Sequence, residues 1–249
     1  TLYNLVDMIF IGKLGGQAIT GIAFNMPLFF LVLGLTMGLG TGVTASIARF
    51  IGQENKKQAD NSAEHAVFMA AIISVFLSLI GLMFGKNILT FFGAKGEILN
   101  LGWEYLRVMC IGMPFMIFSG FFRSILAGEG DMKFPMMIAG LGTVLNIILD
   151  PIFIFELESY GGFGFGLGIA GAAMATVISQ VIVFFVFIYM LFFKDHSYIT
   201  FRLRDFSFST DIIWDIVKIG LPASLSMVVM AVGQGVFNKI LIHFSADTV

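Results

Sequence analysis

The sequence has 249 residues, of which 58% are hydrophobic and only 12% are charged, and its mean hydropathy is +0.95. A soluble domain carries about twice that share of charged residues, so the composition excludes an ordinary soluble protein. The 14 Lys and Arg balance the 16 Asp and Glu, which leaves no basic surface to hold nucleic acid. The single cysteine, Cys110, permits no internal disulfide, and His65, His196 and His243 are too scattered for a metal cluster.

Long uncharged runs predict transmembrane helices along the chain. A helix needs roughly 20 apolar residues to cross the bilayer core, and several runs reach or approach that length. The uncharged runs cover 18–48, 66–85, 108–122, 134–149, 159–193 and 219–238. With the polar segments as boundaries, we predict a partial first helix over 1–14 and six full helices, the second to the seventh, over 18–48, 61–92, 97–127, 133–157, 167–193 and 211–245.

These runs are too long for transmembrane strands, which alternate over about ten residues. The predicted fold class is therefore all-α, a polytopic membrane protein. The second helix is rich in glycine, and the spacing of Gly34 and Gly38 lets a neighbouring backbone approach closely. We interpret this pattern as internal packing of the bundle rather than as an association motif.

The distribution of Lys and Arg predicts the orientation in the membrane. Most of these residues lie in the loops after the second, fourth and sixth helices, so we expect those loops to be cytoplasmic and the protein to lie in the plasma membrane. The segment 194–210 mixes aromatic and charged residues. It is expected to be an amphipathic connector on the cytoplasmic membrane surface.

A short internal repeat links the first and seventh helices. Shifting the chain by 231 positions places residues 6–11 over 237–242, with polar residues over polar residues. Parallel repeats of this kind occur in transporters. In this register roughly 20 further residues are expected before Thr1, and we expect the chain to be truncated at both ends.

Two acidic residues, Asp7 and Asp150, lie in otherwise apolar segments. A carboxylate inside the membrane costs several kcal/mol unless it is neutralised or paired, which favours a functional role. The alternative is a carboxylate at a helix end in contact with water. At 1.5 Å per residue, Asp7, Asp150 and Thr176 all lie about 10 to 13 Å below the outer surface, so these side chains can meet. Asn146 is one turn from Asp150 on the same helix face.

These residues together offer only oxygen ligands. Pro151 has no N–H, so the carbonyl of Ile147 is free near the carboxylate of Asp150. Carboxylate, amide, hydroxyl and carbonyl oxygens suit a proton or a hard cation such as sodium. Since two neighbouring acids cannot both stay ionised cheaply, we expect a proton or a cation between them.

One motif suggests a different function. The run GEGD at 128–131 fits the glycine-x-glycine-aspartate signature of intramembrane aspartyl proteases. Its charged neighbours place Asp131 in a cytoplasmic turn, whereas Asp7 and Asp150 are predicted near the opposite membrane face. An aspartyl dyad needs two carboxyls that meet within the membrane, so we predict that the protein is not an enzyme of this kind. The sequence has no other nucleophile or metal set with catalytic spacing.

Over essentially all its length, the chain resembles the multidrug and toxic compound extrusion (MATE) transporters, in particular the archaeal and bacterial DinF-like and NorM-like branch. The resemblance depends on the order and spacing of several motifs. They are YNLVD at 3–7, GKLG at 12–15, RSILAGEGD at 123–131 followed by Pro135, NIILDP at 146–151, GAAMAT at 171–176 and GLPA at 220–223.

The resemblance implies a fold of twelve helices in two six-helix lobes. The chain would then comprise the first lobe over 1–193, a connector over 194–210 and the first helix of the second lobe over 211–249. The family's cation site falls on Asp7, Asn146, Asp150 and Thr176, which would bind a proton or Na⁺, and no other metal or cofactor is implied. The proline that the family carries in its first helix would precede Thr1.

We therefore predict an exporter of amphipathic or cationic organic compounds, in antiport with protons or sodium. Its partners would be the lipid bilayer, small organic substrates, the coupling cation and the rest of the second lobe. One alternative is a flippase for lipid-linked precursors, which needs a cationic groove between the lobes; another is a membrane enzyme or a receptor-like bundle. Flexible apolar side chains in the second and fourth helices can line a substrate cavity. They are Phe24, Met26, Phe29, Phe30, Met37, Met113, Phe115, Met116 and Phe118.

Overall fold

A computed structural model of the chain describes residues 8–156, 164–194, 197–201 and 206–241. Within these ranges most of the chain is helical, and the non-helical parts are the turns, an isolated antiparallel bridge between Glu156 and Phe165, and the connector residues 197–201 and 206–209, so the predicted all-α class is confirmed. Residues 8–12 are helical, and the helices that follow are α1 (Gly16–Ala23), α2 (Met26–Gly52), α3 (Lys56–Phe91), α4 (Gly96–Gly128), α5 (Lys133–Ile154), α6 (Gly168–Phe193) and α7 (Thr210–Leu241).

Six helices, α2 to α7, are long and apolar enough to cross a membrane. They correspond to the six full helices predicted, and most ends lie within a few residues of the prediction. The start of α2 differs most, since it lies at Met26 rather than at 18. The start of α3 also differs, since it lies at Lys56 rather than at 61. The side chain of Asn55 accepts a hydrogen bond from the N–H of Gln58 and so caps a polar first turn that the hydropathy pattern does not reveal.

The prediction of one continuous helix over 18–48 is wrong, because the chain breaks between α1 and α2. Pro27 has no N–H, so the carbonyl of Ala23 loses the donor that a continuous helix would supply. Asn25 lies in the break, and its Nδ2 donates to the carbonyl oxygens of Gly21 (2.9 Å) and Gly102 (3.1 Å). The break is therefore tied to α4 and leaves the Ala23 carbonyl open to a partner from another helix.

That partner belongs to α7, which runs antiparallel along α2. At one end of the contact Nδ2 of Asn238 donates to the Ala23 carbonyl (3.3 Å), and at the other Arg49 forms an ion pair with Asp215 (2.6 Å). Between these ends the backbones touch. A Cβ on Gly38 would lie 2.6 Å from the backbone nitrogen of Ser224, so a larger residue would push the two helices apart.

The main hydrophobic core lies between α2, α3, α4 and α6, and its largest fully buried side chains include Phe121, Phe122 and Phe187. Helix α5 packs mainly on α6, on the edge of this core. The contact between α5 and α6 therefore lies at the edge of the main core, to which Ile138 of α5 and Val183 of α6 contribute.

The described part of the connector, 197–201 and 206–209, is bound to the polar first turns of α3. The side chain of Asn61 pairs with the backbone of Ser207, since its Nδ2 donates to the carbonyl (3.0 Å) and its Oδ1 accepts from the N–H (3.3 Å). One turn further along, the N–H of Ser209 donates to Nε2 of the buried His65 (2.8 Å). These contacts fix the residue that precedes α7.

A second anchor of the connector is Glu129, in the turn between α4 and α5. Its carboxylate accepts hydrogen bonds from the hydroxyl of Ser197 and from the backbone N–H groups of Tyr198 (3.0 Å) and Ile199 (3.1 Å). Nζ of Lys56 donates to the carbonyl of Tyr198 (2.6 Å). The connector is thus bonded to the helices of the lobe along its described length.

Candidate functional site

The buried polar centre of the lobe consists of Asn146 and Asp150 on α5 and Thr176 on α6. Nδ2 of Asn146 lies 3.2 Å from Oδ1 of Asp150 and 3.3 Å from Oγ1 of Thr176, and it donates to both. All three residues are buried, and Asp150 is 0% exposed. The structure thus brings together three of the four residues predicted for the cation site, whereas Asp7 lies outside the described residues.

Small residues allow α5 and α6 to approach closely enough for this contact. A Cβ on Gly171 of α6 would lie 2.5 Å from the carbonyl carbon of Phe153, and a Cβ on Gly142 of α5 would lie 2.8 Å from Cγ2 of Val183. Pro151 lies inside α5 directly after Asp150, so the carbonyl of Ile147 lacks its usual donor in the helix. The glycines therefore set the distance between the two helices, and Pro151 leaves the carbonyl oxygen of Ile147 available near Asp150.

The amide of Asn146 is satisfied on one side only. Its Nδ2 donates twice, but its Oδ1 has no hydrogen-bond partner among the residues that the structure describes. A buried acceptor in that state costs about 1–3 kcal/mol, so a donor or a cation that reaches it is stabilised. Carboxylate, amide and hydroxyl oxygens in a dry interior form a donor set that suits a proton or a hard cation.

Asn146 and Thr176 also line a cavity of about 320 Å³ between α2, α4, α5 and α6. Most of its wall is apolar, and several of its side chains are flexible. The apolar lining consists of Leu28, Phe29, Val32, Leu33, Met37, Leu106, Met109, Met113, Met116, Ile117, Ala139 and Val183. The polar centre therefore adjoins a cavity large enough for part of a small organic molecule.

Four of the nine side chains predicted to line a cavity are among the described residues that line this one. Phe29, Met37, Met113 and Met116 line it. Phe24 belongs to the buried core instead. Phe115 and Phe118 pack on Phe184 of α6, with ring centroids 5.4 and 5.8 Å away. Residue type alone does not show whether a Phe or Met lines the cavity or packs in the core, because both surroundings are apolar.

Among the described residues, eight polar residues of the cavity wall were not predicted: Asn25, Thr36, Tyr105, Ser119, Arg123, Thr143, Ser179 and Gln180. Ser119 and Arg123 are four residues apart on α4 and so share a helix face. That spacing, at the end of the uncharged run 108–122, is a signal that the sequence offers. Asn25 carries no comparable signal, because its position follows from the break between α1 and α2.

Asp131 is far from this centre. Its Oδ1 accepts a hydrogen bond from the N–H of Phe134 (3.1 Å) in the first turn of α5, whereas Asp150 lies 19 residues further along the chain, near the other end of α5. At 1.5 Å per residue the two carboxylates are about 28 Å apart, so they cannot share a proton. This geometry opposes the aspartyl protease alternative for the pair Asp131 and Asp150.

Comparison with solved structures supports the fold. The chain superposes on the inward-facing conformation of a multidrug resistance MATE family transporter of the MOP superfamily with a TM-score of 0.92 and 38% identity, over 99% of this chain and 54% of that one. For an outward-facing conformation of such a transporter the TM-score is 0.85, with 38% identity over 93% of this chain and 50% of that one.

Comparison with curated proteins gives the same family. The chain is 29% identical over 248 residues to the probable multidrug resistance protein YoeA of Bacillus subtilis and 30% identical over 246 residues to the multidrug export protein MepA of Staphylococcus aureus. Each match covers 98% of this chain and 52% of the relative, so the chain spans about half the length of the curated relatives it matches. A family model described as MatE matches residues 1–152, and the chain therefore belongs to the MatE family.

Proposed function

We propose that this chain provides the first lobe of a secondary transporter that exports amphipathic organic compounds in antiport with protons or sodium. In this proposal residues 1–193 form the lobe, 194–210 the connector and 211–249 the first helix of the second lobe. The family and the multidrug export named for its relatives support the activity. The observation that carries the proposal is the position of Asn146, which contacts both the buried carboxylate and the cavity.

The coupling between the ion and the substrate follows from the Asn146 amide, which has a donor (Nδ2) at one end and an acceptor (Oδ1) at the other. When Asp150 is ionised and empty, it accepts a hydrogen bond from Nδ2 of Asn146, and Oδ1 of Asn146 is left without a described partner. A proton or a sodium ion on Asp150 seeks an oxygen, not an N–H group, so it favours the rotated amide with Oδ1 toward Asp150. The hydroxyl of Thr176 both donates and accepts, and it can therefore bond either orientation of the amide.

Rotation of the amide changes what the cavity offers to a substrate. In the ion-free state the cavity presents an acceptor, and in the ion-bound state it presents the donor Nδ2. A substrate that hydrogen-bonds to Oδ1 of Asn146 thus binds the ion-free lobe better, and the ion binds the substrate-free lobe better. This mutual exclusion is the thermodynamic requirement for antiport. Asp7 is proposed as a second acid that adds to the attraction for the cation.

The test compares Asp150→Asn with Asp131→Asn in the complete gene product reconstituted into liposomes. Dye export is driven by a proton gradient or by a sodium gradient, imposed separately. We expect Asp150→Asn to lose export under the gradient that drives the parent, because the titrating group is gone while size and polarity are kept. Asp131→Asn makes the same chemical change at the other end of α5 and is expected to retain most of the export. Parental export by Asp150→Asn would contradict the proposal.

The proposed orientation places the plasma membrane around α2 to α7, with the loops after the second, fourth and sixth helices in the cytoplasm. A cysteine at the exposed Lys57, after replacement of Cys110, is then expected not to react with a membrane-impermeant thiol reagent in intact cells. A cysteine at the exposed Lys95, in the loop after the third helix, is expected to react. Reaction at position 57 without reaction at position 95 would show that the orientation is the opposite of the proposed one.

A further inference from the structure

Although most of the cavity wall is apolar, some of its buried oxygens lack a hydrogen-bond partner in the described part of the chain. Oδ1 of Asn25, Oγ of Ser119 and Oδ1 of Asn146 are buried side-chain oxygens without a hydrogen-bond partner in the described part of the chain, and all three residues line this cavity. Each residue is at most 5% exposed. Buried oxygens that are left unbonded are unfavourable, so the site favours an occupant with N–H or O–H donors.

The cavity wall contains a basic side chain. Among the described residues that line the cavity, Arg123 is the one with a formal charge, and Asp150 lies behind Asn146 and outside the lining. Arg123 is exposed and lines the cavity one turn beyond Ser119 on α4, so this residue lies at the mouth of the cavity. A guanidinium binds carboxylate and phosphate oxygens through two parallel hydrogen bonds, and next to an apolar wall it repels cations more strongly than in water.

We infer that the cavity selects amphipathic molecules that carry a carboxylate or phosphate group for Arg123 and N–H or O–H donors for the three buried oxygens. This inference rests on the proposed export function and narrows its substrate class, because a purely cationic amphiphile is then the poorer ligand. Arg123 is the specificity-determining residue for the anionic group, and Ser119 and Asn25 receive donors on the body of the ligand.

The first experiment uses two dyes that differ in one group: an aminoxanthene dye with a free carboxylate and its methyl ester. Binding to the complete gene product is measured by fluorescence anisotropy, and export is measured in proteoliposomes. We expect the wild type to bind the carboxylate at least about tenfold more tightly than the ester. Arg123→Gln should remove this preference by weakening the carboxylate alone, and Arg123→Lys should restore part of it.

Two further variants separate recognition from a general structural effect. Lys133→Gln removes the same charge at an exposed residue outside the cavity lining and is expected to leave both dyes unaffected. Ser119→Ala should weaken both dyes by roughly threefold, because both carry the same amino donors, without lowering thermal stability, since the described part of the chain shows no bond to that oxygen.

Competition assays identify the source of the anionic group. A naphthalene carboxylate represents free organic acids, and a short-chain phosphatidic acid represents lipid head groups. Displacement of the carboxylate dye by either competitor from the wild type, with at least about tenfold weaker displacement from Arg123→Gln, supports the inference and names the source. If neither competitor displaces the carboxylate dye from the wild type, the inference is overturned.

The outcomes also distinguish this inference from the proposed function. Equal affinity for acid and ester in the wild type, or an equal loss for both in Arg123→Gln, overturns the selection by Arg123 while export of either dye still supports the transporter. If the carboxylate binds selectively through Arg123 but no ion gradient moves either dye, the ligand class stands and the export function is wrong.

Discussion

Two buried asparagines show how differently the same side chain is used in this protein. Asn61 on α3 has both ends of its amide bonded to the backbone of Ser207. Asn146 on α5 bonds through Nδ2 only, and its Oδ1 borders a cavity without a partner among the described residues. The amide of Asn61 has no free donor or acceptor for a new partner. The amide of Asn146 retains an acceptor that an incoming group can bind. Satisfaction of hydrogen bonds therefore separates a structural amide from a candidate functional one.

The strongest test of this contrast replaces the functional amide. Asn146→Leu removes the contact between Asp150 and the cavity, so we expect export to fall to the rate seen without an ion gradient. Stability should change by less than about 1 kcal/mol, because the substitution also removes an unsatisfied buried oxygen. Export is measured in proteoliposomes and stability by thermal unfolding in detergent. Gradient-dependent export above half of the parental rate would contradict the role of Asn146.

The structural amide should show the opposite result. Asn61→Leu leaves the carbonyl and the N–H of Ser207 without their side-chain partner, and we expect the free energy of unfolding to fall by about 2 kcal/mol. Export per folded molecule should keep its dependence on the ion gradient. Denaturant unfolding and export assays at matched amounts of folded protein check both expectations. Loss of gradient dependence would mean that the connector takes part in coupling.

Glu129 tests whether the second anchor of the connector acts like Asn61. Glu129→Gln removes the charge that strengthens three hydrogen bonds from residues 197–199, and we expect a loss of about 1 kcal/mol in unfolding free energy. Glu54→Gln, at an exposed residue in the turn between α2 and α3, is the matched control and should have no measurable effect. An equal loss in both variants would argue against a specific anchor.

The smallest expected effect concerns Thr176. Thr176→Val keeps the shape of the side chain but removes the hydroxyl that bonds Nδ2 of Asn146, so we expect the initial export rate under a gradient to fall by about threefold. Thr176→Ser retains the hydroxyl and should recover most of that rate. Equal rates in the Val and Ser variants would show that the hydroxyl has no part in orienting the amide.

The sequence predicts the helices well where polar segments mark their ends. With those segments as boundaries, the prediction gives α4 and α6 to within a residue, because charged and polar side chains are disfavoured in the membrane interior. The break near Asn25 was missed, since one amide and one proline barely change the hydropathy of a 31-residue run. Pro27 was the available signal, and its missing N–H gives the physical reason.

The candidate site was predictable only in part. Asn146 and Asp150 share a helix face by their spacing, and depth counting brought Thr176 to the same level. The contacts of Asn61 and His65 with the connector join residues more than 140 positions apart, and no local pattern encodes them. Arg123 lies in a motif that the sequence did reveal, but its place at the cavity mouth depends on the packing of α4 against three other helices.

The polar contacts that hold α7 differ between its two ends. Near Thr210 it is held by the bond from Ser209 to His65 and by the ion pair of Asp215, whereas near its other end the contact at Asn238 is a single hydrogen bond of 3.3 Å to the Ala23 carbonyl. The helix has 32 residues and is about 48 Å long, so a tilt of about 10° around the Thr210 end moves the far end by about 8 Å. The hydrogen bond to the Ala23 carbonyl, which Pro27 leaves without a helical donor, therefore restrains the end of α7 that such a tilt would move most.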